Sequence, residues 1–181
     1  MCLRIGGGRI VRILCDEHIV PDFQLVLRGY GYECVSTAAA GLASTADDEL
    51  LAAAKSAGFE FLLSLDNNRQ QEVWSRLLLR LAEGDGRLIR IKIPGTAIPD
   101  VPTLTAYWSR AYPAFQRHLR DPRYVIIQVG LSATSSRLAR GGFEAYTRKK
   151  VGSMVQQQMN WHQGRLLVPG SPRVRAPDRR R

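Results

Sequence analysis

Short apolar runs alternate with longer amphipathic segments along the chain up to residue 130. The runs are rich in Val, Ile, Leu and Phe, a composition typical of strands that are buried on both faces. The segments between them repeat apolar residues every three or four positions, which predicts helices with one buried face. The predicted strands span residues 9–15, 33–37, 59–65, 88–93 and 124–129, and the predicted helices lie near 21–28, 45–57, 69–83 and 103–119.

This alternation predicts an α/β fold, a three-layer α/β/α domain around a central, mostly parallel five-stranded sheet. We assign this domain to residues 9–130, and we expect Pro113 to kink or split its last helix. Residues 131–181 are expected to form a separate basic extension with a helix over about 143–161. The segment 170–181 has almost no apolar residues, which predicts a flexible end.

The positive charge of the chain is concentrated near its carboxyl terminus. The formal net charge is +10 over 181 residues, and residues 137–181 contribute 11 basic and two acidic side chains to it. Such a basic segment favours an anionic partner, with nucleic acid as the first candidate, although a solvated tail without a partner is the alternative. The candidate nucleic-acid contacts are Arg148, Lys149, Lys150 and Arg165, with Tyr146 and Trp161 as aromatic side chains that could stack on bases.

Several classes of protein are excluded or disfavoured by the sequence. No apolar run approaches the roughly 20 residues of a membrane helix, so no membrane partner is expected. Residues 1–8 lack the apolar stretch of a secretion signal, and the three cysteines form no CxxC motif. We therefore expect a cytoplasmic protein. Separately, we expect Trp74 and Trp108 to lie in its core.

Acidic residues follow the predicted strands at three places. Asp16 and Glu17 come after the first strand, residues 47–49 open the second helix with three acids, and Asp66 ends the third strand. The carboxyl ends of parallel strands meet at one edge of a sheet, and carboxylates that lie close together need a cation. Each acid taken alone is also explained as an ordinary helix-start residue. Together they predict a site for Mg²⁺ or Mn²⁺, ions that activate water in phosphoryl chemistry.

Four motifs then resemble those of the small PIN-like nucleases, in particular the branch often found as toxins of toxin–antitoxin pairs. They are residues 13–18 (Ile-Leu-Cys-Asp-Glu-His), 28–35 (Arg-Gly-Tyr-Gly-Tyr-Glu-Cys-Val), 46–50 (Ala-Asp-Asp-Glu-Leu) and 63–68 (Leu-Ser-Leu-Asp-Asn-Asn). The resemblance covers about residues 10–130. It implies a metal-dependent endoribonuclease that hydrolyses phosphodiester bonds, with RNA as substrate and a cognate antitoxin as partner. Whether the protein also forms a homodimer is left open by the sequence.

The resemblance also implies roles for individual residues. The catalytic set would be Asp16, Asp48 and Asp66, with Asp47 or Glu49 as substitutes for the helix-start acid. The metal ligands would be Asp16, Glu17, Asp48, Asp66 and Asn68.

The sequence departs from the family pattern at two positions. Asn68 stands where the family often has its last aspartate, and His18 replaces the usual asparagine. Asn68 offers a carbonyl oxygen without a charge, so we expect a weaker affinity for the metal.

Two other functions are compatible with the same residues. The missing acid and the basic segment favour a catalytically impaired PIN-like module that binds nucleic acid or a protein partner. A phospho-receiver signalling domain also places an acidic pair after its first strand and an aspartate after its third. Its lysine after the fifth strand is missing here, because residues 129–132 read Val-Gly-Leu-Ser.

Overall fold

The computed structural model describes residues 10–65, 71–92, 98–130 and 143–166. This part of the chain contains six strands and five helices. In chain order they are β1 (Arg12–Cys15), α1 (Pro21–Gly29), β2 (Glu33–Ser36), α2 (Asp47–Ser56), β3 (Phe61–Ser64), α3 (Gln71–Glu83), β4 (Leu88–Ile91), α4 (Val101–Arg120), β5 (Tyr124–Val129), β6 (Phe143–Thr147) and α5 (Arg148–Leu166).

All six strands belong to one sheet, in the order β2-β1-β3-β4-β5-β6. The first five strands are parallel, and β6 is antiparallel to β5. The predicted α/β class and mostly parallel sheet are therefore confirmed, and each of the five predicted strands is present, four of them in shortened form. The order 2-1-3-4-5 of the parallel strands is that of doubly wound folds of the flavodoxin type.

The helices cover both faces of the sheet and form the three predicted layers. Leu27 of α1 and Trp108 of α4 are fully buried against one face, which confirms the core position predicted for Trp108. Leu51 of α2, Leu78 of α3 and Val151 of α5 are buried against the other face. Successive strand residues alternate between these two cores, because side chains along a strand point to opposite faces.

Helix α4 is continuous through Pro113. The Asp100 side chain caps its start by accepting a hydrogen bond from the Thr103 main-chain nitrogen at 2.8 Å. Pro113 lies on the exposed side of the helix, whereas Ala111 and Phe115 on either side of it are fully buried. Both halves of α4 pack on the sheet, and this packing keeps the helix continuous. The split that we considered at Pro113 is therefore absent.

The prediction of a helix beginning at residue 143 is wrong. Residues Phe143–Thr147 form β6, which pairs along β5, and the helix begins only at Arg148. Without β6, the outer edge of β5 would present unpaired main-chain N–H and C=O groups. The hydrogen bonds gained along this edge outweigh the weak helical preference of five residues.

The segment 143–166 is part of the domain, not the separate extension that we predicted. Besides the pairing of β6, α5 packs along α3, and Val151 of α5 is fully buried. The linker expected at 132–136 and the flexible end expected at 170–181 lie outside the described residues. No helix in the described part of the chain is long and apolar enough to cross a membrane.

The position of Val151 gives a test of this domain boundary. We expect Val151→Ala to lower the free energy of unfolding by about 2 kcal/mol, because it removes two buried methyl groups from the contact between α3 and α5. Lys150→Ala, at the neighbouring exposed position, is the control and should change stability by less than about 0.5 kcal/mol. Urea denaturation of both variants measures the difference. Equal midpoints would mean that α5 does not share the core.

Candidate functional site

The carboxyl edge of the sheet contains the position where a doubly wound fold binds its ligand. β1 lies between β2 and β3, so the order of the strands reverses between β1 and β3. The helices that follow these two strands, α1 and α3, lie on opposite faces of the sheet. This arrangement opens a crevice at the carboxyl ends of the two strands. Asp16 follows β1 directly, and its main-chain nitrogen donates to the Leu63 oxygen of β3 at 3.0 Å.

The Asp16 carboxylate is held in a fixed orientation. The Ser64 hydroxyl, at the end of β3, donates to Asp16 Oδ2 at 3.0 Å. The main-chain nitrogen of Glu17 donates to Asp16 Oδ1 at 2.7 Å. Each carboxylate oxygen keeps a further lone pair, and the side chain is 22% exposed. The carboxylate can therefore still bind a cation or a hydrogen-bond donor in the crevice.

Glu17 and His18 extend the polar character of this loop. His18 Nδ1 lies 4.0 Å from Asp16 Oδ2 and 4.0 Å from Glu17 Oε1. The side chains of His18 and Glu17 are 55% and 73% exposed. These distances are too long for hydrogen bonds, but they bring three titratable groups together at the end of β1.

The remaining predicted metal ligands are described only in part. The main chain of Asp47 and Asp48 lies in the first turn of α2, which begins at the carboxyl edge because it follows β2. Asp66 and Asn68 lie outside the described residues. Among the described side chains, no group of three or more His, Cys, Asp or Glu is placed to hold a metal ion. The metal site therefore stays a prediction, of which the structure describes Asp16 and Glu17 in full.

A row of polar side chains continues from Asp16 across the sheet, beyond the residues of the sequence motifs. Residues in register on adjacent strands form the row, on the face that is covered by α2, α3 and α5. Toward the amino edge, the preceding row on the same face is apolar across β1, β3, β4 and β5. The polar row consists of Asp16, Ser64, Arg90, Gln128 and Glu144.

Direct hydrogen bonds join the members of this row on β4, β5 and β6. Arg90 Nη1 donates to Gln128 Oε1 at 3.1 Å, and Gln128 Nε2 donates to Glu144 Oε2 at 3.3 Å. The Tyr146 hydroxyl donates to the same Glu144 oxygen at 2.5 Å. Burial and this hydrogen bond raise the pKa of Tyr146. The amide of Gln128 thus links a buried guanidinium to a carboxylate, and we call these four residues the Arg90 network.

The sequence contains a signal for this row. The apolar runs of β3, β4 and β5 are each interrupted by one polar residue close to the carboxyl end, as in Leu-Ile-Arg-Ile of β4. Strands buried on both faces are otherwise continuous apolar runs. Because Ser64, Arg90 and Gln128 are only 7–8% exposed, their polar groups need hydrogen-bond partners inside the protein.

Three of the predicted RNA contacts lie at the opposite edge of the sheet. Arg148, Lys149 and Lys150 are exposed in the first turn of α5. This turn follows Thr147, which pairs with Tyr124 at the start of β5, and the antiparallel direction of β6 therefore places it at the amino edge. A strand of four to six residues is about 13–20 Å long, so these cations are not beside Asp16.

Arg165 lies near the other end of α5, about 25 Å along the helix from Arg148. α5 packs along α3 and leaves the amino edge, so its last turn returns toward the edge that carries Asp16. Tyr146, a predicted stacking residue, is half-buried in β6 with its hydroxyl bound to Glu144. Its ring packs against the core on the face covered by α2, α3 and α5, which does not favour stacking on a base.

No protein-family model and no curated protein sequence matches the chain. A solved structure of aspartate aminotransferase from Thermus thermophilus with maleate is similar at 12% sequence identity and a TM-score of 0.41. The match covers 84% of this chain and 39% of the aminotransferase chain. A similarity of this size carries no argument about fold or activity.

The Arg90 network predicts a stability effect at its central residue. Gln128→Met keeps the volume of the side chain but removes one hydrogen bond from each of two charged groups, Arg90 and Glu144. We expect the free energy of unfolding to fall by about 1–3 kcal/mol in urea denaturation. Gln116→Met, an exposed position on α4, is the matched control. If both variants unfold at the same urea concentration, the network does not stabilise the fold.

Proposed function

We propose that the protein is a Mg²⁺- or Mn²⁺-dependent ribonuclease that hydrolyses phosphodiester bonds at the carboxyl edge of its sheet. The observation that carries the proposal is the Asp16 carboxylate, held by Ser64 and by the Glu17 main chain at the reversal point between β1 and β3. This is the place where doubly wound folds bind their ligands. The acids Asp48 and Asp66 follow the neighbouring strands in the sequence, which supports a shared site.

The donor chemistry of these residues suits a hard divalent cation. Asp16, Asp48 and Asp66 would hold the metal through carboxylate oxygens, and Glu17 and Asn68 would complete or orient its ligand shell. When bound, the metal would supply an activated water and neutralise charge on the phosphodiester. The hydrogen bond from Ser64 fixes the orientation of the Asp16 carboxylate at the crevice.

Binding of RNA would use charge at both edges of the sheet. The exposed cations Arg148, Lys149 and Lys150 can contact phosphates without reading the base sequence. Because they lie about 13–20 Å from the carboxyl edge, they would hold nucleotides remote from the bond that is cut. Arg165 is the predicted contact that α5 carries back toward the site.

The biological role in this proposal is that of a toxin restrained by a cognate antitoxin. The support is the resemblance of residues 13–18, 46–50 and 63–68 to toxin-branch PIN-like nucleases. An antitoxin that covers the acidic crevice would block RNA and metal together. Induced expression of the protein should arrest growth, and expression of Asp66→Ala should not.

Cleavage of a mixed RNA substrate tests the activity. We expect cleavage in Mn²⁺ that EDTA abolishes, and a rate at least about 100-fold lower for Asp16→Asn and Asp66→Ala, since the metal contributes several kcal/mol. Asp85→Asn makes the same change at the amino edge, where Asp85 pairs with Arg80, and should cleave like the wild type. Identical cleavage by the wild type and Asp66→Ala would reject the nuclease. Salt-dependent RNA binding without cleavage would instead identify a catalytically impaired binding module.

A phospho-receiver is the second candidate, because the strand order 2-1-3-4-5 is also that of receiver domains. The sequence after β5 lacks the lysine of that class, which favours the nuclease. Incubation with acetyl phosphate and Mg²⁺ distinguishes the two. We expect no increase in protein mass, whereas a phosphorylated wild type and an unmodified Asp66→Asn would establish the receiver.

A further inference from the structure

Trp74 lies in the first turn of α3 and, unlike Trp108, is not enclosed in the core. α3 follows β3, so its first turn is at the carboxyl edge of the sheet. Trp108 is fully buried, with the edges of Phe23, Tyr32 and Phe115 around it. Trp74 is half-buried on the periphery of the other core, which differs from the core position that the sequence predicts.

The indole ring of Trp74 stacks on the guanidinium of Arg90. The Arg90 Cζ atom lies 4.7 Å from the ring centroid, which is cation–π geometry. Arg90 is only 7% exposed, and its Nη1 is bonded to Gln128. The polar row therefore supports the ring from the sheet side with a planar group that is itself fixed, and the Trp74 residue as a whole is only half-buried.

This ring is close to the candidate site. Arg90 is the register partner of Ser64, and Ser64 donates its hydroxyl hydrogen to Asp16. β4 and β1 are separated by β3 alone, so Arg90 and Asp16 lie two strand spacings apart, about 10 Å. That distance is within reach of neighbouring nucleotides in one single strand.

We propose that Trp74 is a stacking platform for an unpaired nucleobase next to the site at Asp16. The inference rests on the proposed function for its substrate class, and it narrows that class to single-stranded RNA. An aromatic ring accepts any base, because every base has a π face. Arg90 and Gln128 act as positioning residues that hold the platform in place.

The experiment measures binding of hexauridylate in EDTA, so that metal-dependent cleavage plays no part. Trp161→Phe serves only for the fluorescence measurement, where it removes the indole of residue 161, and Trp108 is buried, so that quenching reports on Trp74. Affinities are compared between the wild type and the Trp74 variants. We expect hexauridylate to quench the fluorescence of Trp74. We expect Trp74→Leu to bind hexauridylate about 10-fold more weakly and Trp74→Phe to bind nearly as well as the wild type.

An abasic hexamer with the same phosphates separates stacking from charge. Wild type and Trp74→Leu should bind it equally, since it has no bases. Equal weakening for both oligomers, or no weakening for either, would overturn the platform and leave Trp74 as a packing residue of α3. Should Trp74→Leu fail to fold by circular dichroism, an unresponsive Trp74 fluorescence at saturating hexauridylate would overturn it as well.

The outcome is separate from that of the cleavage assay. Base-dependent binding through Trp74 without any Mn²⁺-dependent cleavage would retain the platform and reject the nuclease. Cleavage by the wild type together with an unchanged KM in Trp74→Leu would reject the platform and retain the nuclease.

Discussion

The Arg90 network and the hydrogen bond that holds Asp16 both depend on the register of the sheet. Ser64, Arg90, Gln128 and Glu144 meet because each is the direct partner of the next across four strands. A shift of one residue would turn these side chains toward the other core, where aromatic rings and aliphatic side chains offer them no hydrogen-bond partners. The polar row therefore specifies one register for the paired strands. Apolar side chains alone would define that register less strictly.

The same register explains where the side chains on this face of the sheet change from apolar to polar. On the face covered by α3, the row that contains Leu62 and Leu88 is apolar, and the next row toward the carboxyl edge contains Ser64 and Arg90. The change takes two residues along each strand, about 7 Å. The apolar row anchors the helices, and the polar row fixes the side chains that border the crevice.

The local sequence pattern is sufficient to predict the parallel strands and the edge of the sheet at which Asp16 lies. The apolar run of β5 predicted Tyr124–Val129 without error, because a strand buried on both faces has a composition of its own. Asp16 could be placed at the carboxyl edge because that edge follows from chain direction alone. The structure adds the hydrogen bond from Ser64, which sequence reasoning could not supply because it joins residues 48 positions apart.

β6 and the polar row could not be predicted in the same way. Residues Phe143–Thr147 become a strand only because β5 offers an open edge, which is a property of the folded sheet. Arg90 alone does not indicate a network, because one polar residue in a short apolar run is also common at a strand end. Its meaning depends on Gln128 and Glu144, whose register is visible only when the strands are assembled.

The position of Glu144 on the last strand has a consequence for the order of events during synthesis. The chain is made from its amino terminus, so Arg90 and Gln128 leave the ribosome before Glu144 and Tyr146 do. Until β6 pairs with β5, the guanidinium of Arg90 has no relay to that carboxylate, and the ring of Trp74 rests on an incomplete support. The Arg90 network is thus completed only after every acid of the proposed site has been made.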